Sequence, residues 1–137
     1  MRFLLDTNIV IDIISKRDGY EDSLKIFKYC ETNYVEGFVS ATTVTDVMYI
    51  LRKHIAPEDV RDAVHTLLTI VDVAGVLKVD ISSAFYSEMR DFEDAVQSSC
   101  AKRINADYII THNIKDFKKS VTPAILPEDA LKLFNKF

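Results

Sequence analysis

The chain has 137 residues, 48% of them hydrophobic and 28% charged, which suits one self-sufficient core and is too short for two ordinary domains. Three glycines and three prolines exclude collagen-like and low-complexity chains, and the apolar content excludes disorder. Two cysteines (Cys30, Cys100) make no disulfide framework, three histidines give no zinc spacing, and a net charge of −4 argues against a simple polyanion binder.

Met1 to Val10 has an apolar run that Asp6 interrupts, so it does not read as a secretory leader. No stretch approaches the roughly 20 apolar residues of a membrane span. The expectation is a soluble, cytoplasmic protein with free thiols. In chain order, Arg2 to Asp6 reads as a buried parallel strand ending at a carboxylate. Asn8 to Lys16 and Tyr20 to Thr32 read as helices, the second clearly amphipathic. Gly37 to Ser40 is a second strand. Ala41 to Lys53 is a helix that the Thr42–Thr43 pair is suited to cap. Pro57 suits the first turn of a helix running to about Val71.

Gly75 to Val79 reads as a third strand and Asp80 to Met89 as a helix, with Asp80 or Ser82 as its cap. Phe92 to Ile104 is a helix with Asp91, Glu93 and Asp94 at its electropositive start. Tyr108 to Thr111 is a fourth strand and Ala124 to Leu126 a fifth, followed by a helix opened by Pro127. Strands alternating with helices predict right-handed βαβ units around a parallel sheet covered on both faces. Sites in such sheets lie beyond the carboxyl ends of the strands.

Acids cluster in sequence at those ends. Asp6 closes the first strand, Asp46 lies on the helix after the second, Asp91 and Asp94 open the helix before the fourth, and Asp116 follows the fourth. Asp91 and Asp94 are three apart and share a helix face, which leaves Glu93 off it. The plain reading of each acid is a solvated residue, a helix-start charge or a turn former. Asp6 resists that reading, because a charge ending a central strand is costly unless paired or metal-bound. Converging carboxylates repel, and a divalent cation relieves them. Oxygen-only donors select Mg²⁺ or Mn²⁺ over zinc, and the chemistry such ions support is phosphodiester hydrolysis.

The chain resembles the PIN-domain family, metal-dependent nucleases that include VapC-type toxins. The resemblance rests on Leu5-Asp6-Thr7-Asn8, on Ser40 through Asp46, on Asp91 through Gln97, and on Ile109 through Phe117, in that order along nearly the whole chain. It implies a single domain, 1–137, built as a three-layer α/β/α sandwich with a parallel sheet of four to five strands. It implies that Asp6 and Asp94 are metal ligands, supported by Asp46, where many members carry Glu, and by Asp116. Many members carry an acid where Asn113 stands. Asn8, Thr111 and Asn113 resemble the polar residues that orient the ligands. The activity implied is an endoribonuclease dependent on one or two Mg²⁺ or Mn²⁺ ions and acting on single-stranded RNA. An antitoxin protein and a second copy of the chain, as a homodimer, are the partners it suggests.

Positive charge near the site is expected from Arg52, Lys53, Lys115 and Lys118, with Lys16-Arg17, Lys102-Arg103 and Lys119 as further candidates. His112 adjoins the site as a phosphate contact or an acid. Tyr20, Tyr29, Tyr34 and Phe38 read as core. Two other carboxylate chemistries fit less well. A haloacid-dehalogenase-type phosphatase wants an acid where Asn8 stands, and a receiver domain wants an acidic pair at the first strand. The alternative from another class is a PIN fold that only binds RNA or protein.

Overall fold

In a computed structural model, which describes residues 1–134, five parallel strands form one sheet in the order β3-β2-β1-β4-β5. The strands are β1 (Arg2–Leu5), β2 (Glu36–Ser40), β3 (Asp72–Ala74), β4 (Tyr108–Ile110) and β5 (Ala124–Ile125). The helices are α1 (Thr7–Ser15), α2 (Tyr20–Glu31), α3 (Ala41–Leu51), α4 (Pro57–Leu67), α5 (Lys78–Phe85), α6 (Phe92–Arg103) and α7 (Pro127–Lys132). A short 3₁₀ turn spans Ile114–Phe117. The α/β architecture expected from the alternating pattern is the one observed.

The central strand β1 is buried on both faces, and its side chains alternate between two cores. Phe3 and Leu5 pack with Ile9, Ile26, Phe27, Val39 and Val47 under α1 to α4 and α7. Leu4 packs with Ile109, Ala95, Val96 and Ala101 under α5 and α6. Gly37 lets α2 press against β2: a Cβ there would lie 2.5 Å from Cys30 Sγ and 2.8 Å from Val71 Cγ1. Among the described residues no helix is long and apolar enough to cross a membrane.

Several local expectations are corrected. The third strand is Asp72–Ala74, not Gly75 to Val79; it pairs with β2 through Phe38↔Asp72, Val39↔Val73 and Ser40↔Ala74. Lys78 and Val79 instead start α5, where the Asp80 carboxylate takes the Leu77 N–H at 2.8 Å. Apolar alternation alone does not separate these options. The fourth helix stops at Leu67, and 68–71 continue as turns. Ser40, rather than the Thr pair, caps α3 by accepting from the Thr43 N–H. Tyr34 is largely exposed and not core.

From β1 the chain steps outward to β2 and β3, then returns across β1 to β4. The order therefore reverses between β1 and β4, and a crevice opens where their carboxyl ends diverge.

Candidate acidic site

Asp6 stands at that crevice as the N-cap of α1 and is 5% exposed. Its carboxylate accepts four hydrogen bonds. Oδ1 takes the Thr7 N–H and the Gln97 amide, both at 2.8 Å. Oδ2 takes the Thr111 hydroxyl at 2.8 Å and the Asn8 amide at 2.9 Å. Thr111 also accepts from the Asn113 N–H at 3.0 Å, which folds the chain toward the 3₁₀ turn carrying Asp116.

Asp6, Asp46, Asp94 and Asp116 line one cleft of about 480 Å³, together with Asp91, Glu93, Gln97 and Asn113. The structure therefore brings together the four acids expected from sequence. No side chain among the described residues donates to Asp94; burial and the charges of Asp6, Asp91 and Asp116 push its carboxyl up to about 7. Asp91 lies in extended backbone and caps α6 by accepting from the Asp94 N–H at 3.0 Å.

Two cleft residues escape the sequence reading. Spacing puts Glu93 off the acid face, but it reaches Asp46 across the gap between α6 and α3. Hydrogen bonding to Asp46, burial and the charges of Asp46, Asp91 and Asp94 push Glu93 up to about 8. Spacing misleads here because Asp91 is a cap outside the helix, so its distance to Asp94 defines no helical face. Gln97 belongs to the PIN-like motif but carries no expected role there. Its position one turn beyond Asp94, on the same face, is the signal that points to it.

The cations are less uniform. Lys115 and Lys118 line a groove that adjoins the cleft through Asp116. Arg52 lies over the Tyr49 ring at 3.6 Å, and Tyr49 lines the cleft. Lys53 is exposed and lines none of the described cavities that adjoin the acids. His112 is hydrogen-bonded through Nε2 to the buried Asp12, and its backbone N–H donates to Asn8 Oδ1 at 3.3 Å. Cys30 is no nucleophile: burial pushes its thiol up to about 12.

Residues 2–115 match the PIN domain family. The chain belongs to it. This PIN domain superposes on one chain of the DNA-bound VapBC structure from Salmonella typhimurium with a TM-score of 0.73 at 17% identity, covering 93% of this chain and 98% of that one. It superposes on VapBC2 of Rickettsia felis, bound to a DNA fragment from its promoter, with a TM-score of 0.70 at 20% identity, covering 90% and 96%. The Mycobacterium tuberculosis toxin VapC20, described as cleaving the sarcin–ricin loop, gives a TM-score of 0.64 at 13% identity, covering 78% and 86%. At these identities the likeness is one of fold. No curated protein matches this chain in sequence.

PIN nucleases generally use divalent metals. Among the described residues no three His, Cys, Asp or Glu side chains converge to hold an ion as they stand. The residues nevertheless fit one in kind. Every cleft donor is an oxygen, Asp46 Oδ2 is buried without a hydrogen-bond partner, and burial together with the neighbouring acids pushes Asp94 up. Mutual repulsion of this kind separates carboxylates until a cation binds.

Proposed function

We propose that this PIN domain is a metal-dependent endoribonuclease and the toxin of a toxin–antitoxin pair. One observation carries the reading: Asp6, Asp46, Asp94 and Asp116 reach a single cleft at the reversal of strand order from four separate chain segments. Asp6 and Asp94 would hold Mg²⁺ or Mn²⁺, with Asp46 and Asp116 in support. When bound, such an ion supplies a Lewis acid for the phosphoryl group and the field that acidifies a water. Four donors orient Asp6, and the 3₁₀ turn presents Asn113 and Asp116 at the cleft rim. Single-stranded RNA fits the open cleft, since its backbone bends into sites a duplex cannot enter.

The solved VapBC complexes support an antitoxin partner, and the sarcin–ricin-loop-cleaving relative supports nuclease action. The exposed Phe85, Tyr86 and Phe92 offer a homodimer an apolar surface. Both cysteines are free and buried, which fits a reducing, cytoplasmic compartment. The second reading, a PIN fold that binds without cutting, is favoured by the lack of a preassembled metal-binding trio among the described residues.

The test is cleavage of end-labelled RNA by purified protein with Mn²⁺ and with EDTA, comparing wild type with Asp94→Asn. Asp94 is the cleaner target because no described side chain donates to its carboxyl. Asp6→Asn would turn an amide N–H toward one of the donors and disturb the fold. Cleavage that needs Mn²⁺ and is abolished in Asp94→Asn is the expected result. Mn²⁺-independent cleavage, or none by wild type, overturns the proposal.

A further inference from the structure

Three cavities adjoin along one edge of the molecule. The acid cleft shares Asp116 with a groove of about 460 Å³, whose walls include Arg90, Lys115, Lys118 and Lys119. The groove shares Lys119 with a pocket of about 190 Å³ that adds Lys102 and the hydroxyls of Ser83 and Ser87.

The charge on this edge runs against that of the whole chain. Arg90, Lys102, Lys115, Lys118 and Lys119 face only Glu88 and Asp116 in the groove and pocket, in a protein of net charge −4. Among the described residues only Lys119 of the five is ion-paired, with Glu88 at 3.5 Å, and both side chains are largely exposed. Such a pair contributes little and yields readily to another anion. A helix-end position accounts for Lys102, in the last turn of α6, and for Lys115 and Lys118, at the end of the short 3₁₀ turn, but not for Arg90 or Lys119.

The far pocket has the chemistry of a phosphate site. Ser87 Oγ already accepts the Met89 N–H at 3.0 Å, which leaves its hydroxyl hydrogen to donate outward. Two ammonium groups and a donating hydroxyl match phosphate oxygens. Serines and lysines dominate its walls and no aromatic ring lines it, so a phosphate group suits it better than a stacked base.

We infer that Arg90, Lys115, Lys118, Lys119 and Lys102 form a track for the backbone phosphates of single-stranded RNA, leading away from the acid cleft and ending at the Lys102–Lys119–Ser87 pocket. Only the position of the cut phosphate in the cleft rests on the nuclease reading. The track assigns the substrate contacts that an acidic protein needs to one contiguous face.

The experiment is fluorescence anisotropy of a labelled oligouridylate in EDTA, titrated with KCl, for wild type, Arg90→Ala, Lys102→Ala and Lys119→Ala. Lys25→Ala on α2 is the control. Each track variant is expected to bind several-fold more weakly and to flatten the log–log salt slope by about 0.7 for each phosphate it no longer neutralises, with Lys25→Ala unchanged. With Mn²⁺ added, the same three variants should raise KM and leave kcat unaltered. Wild-type affinity and slope in all three variants overturn the track, even if the protein cleaves RNA at full rate. Binding through the track by a protein that does not cut leaves the inference standing and removes the nuclease reading.

Discussion

The Gln97 side-chain amide donates to Asp6 Oδ1 at 2.8 Å, a buried bond between residues 91 apart in sequence. One helical turn earlier on the same helix, Asp94 enters the cleft with no such partner among the described residues. Helix α6 thus supplies both an acid and the group that fixes the opposing acid. The two carboxylates play different parts: Asp6 is locked in position by its donors, and Asp94 is left to answer to whatever enters.

Gln97→Leu removes one of the two donors to Asp6 Oδ1, on a carboxylate that is 5% exposed. Hydrogen bonds to charged groups contribute about 1.5–3 kcal/mol, so unfolding free energy should fall by about that amount in urea denaturation. RNA cleavage should fall about tenfold or more as Asp6 loses its orientation. Unchanged stability and rate would show that Thr7, Asn8 and Thr111 hold Asp6 without help.

Asp94→Asn should make the metal-free protein more stable at neutral and alkaline pH. Folding raises the Asp94 pKa to about 7, above the roughly 3.9 of an unfolded aspartate. The folded state therefore binds more protons between those values, and stability drains away as pH rises through that window. The amide carries no such cost. Thermal unfolding in EDTA should give a higher Tm for the variant near pH 8 and equal values near pH 4, in the window set by those two pKa values. Added Mg²⁺ should favour wild type. An Asp94→Asn protein with no gain near pH 8 would mean that neither burial nor the neighbouring carboxylates penalise this charge.

The sheet and most helix starts were legible because each rests on a local signal: the apolar run at Phe3 to Leu5, Pro57 and Pro127 in first turns, and acids opening α6. The acids of the cleft were legible because the strand-end rule needs only element order. What was not legible depends on tertiary partners. Gly75 to Val79 is a short apolar run like that of a strand, and only the pairing of Asp72–Ala74 with β2 decides against it. Glu93 joins the cleft because α3 packs close enough for Asp46 to meet it, which no spacing within α6 reveals. Net charge is silent on where charges sit for a related reason, since a groove rich in cations adjoins the acid cleft.

Asp46 and Glu93 should behave as a unit. Asp46 is the largest influence on Glu93, whose carboxyl is pushed up to about 8. Apparent pKa values in such a pair belong to both groups. In a double-mutant cycle, Asp46→Asn and Glu93→Gln should each weaken Mn²⁺ binding, and the double variant should lose far less than the sum. Isothermal calorimetry reads this directly. Strict additivity would mean that the two acids meet the ion separately.

Arg103→Met tests the pair that holds α5 against α6. Asp80 is fully buried, and Arg103 meets its Oδ2 at 3.0 Å while Ser99 and the Leu77 N–H donate at 2.9 and 2.8 Å. Burial pushes the Asp80 carboxyl up, but the hydrogen bonds from Arg103, Leu77 and Ser99 and the guanidinium charge outweigh it and hold the group below the usual range. The sign follows from that lowering: the stabilisation is complete above the unfolded pKa of about 3.9 and is lost as pH falls through the folded one. Removing Arg103 leaves a buried charge without its partner, at a cost of about 3 kcal/mol near neutral pH. The difference in Tm between wild type and variant should therefore be large at neutral pH and shrink in acid, as Asp80 takes up its proton in both. A difference that stays constant down to about pH 3 would show that Arg103 acts through packing of its stem rather than through charge.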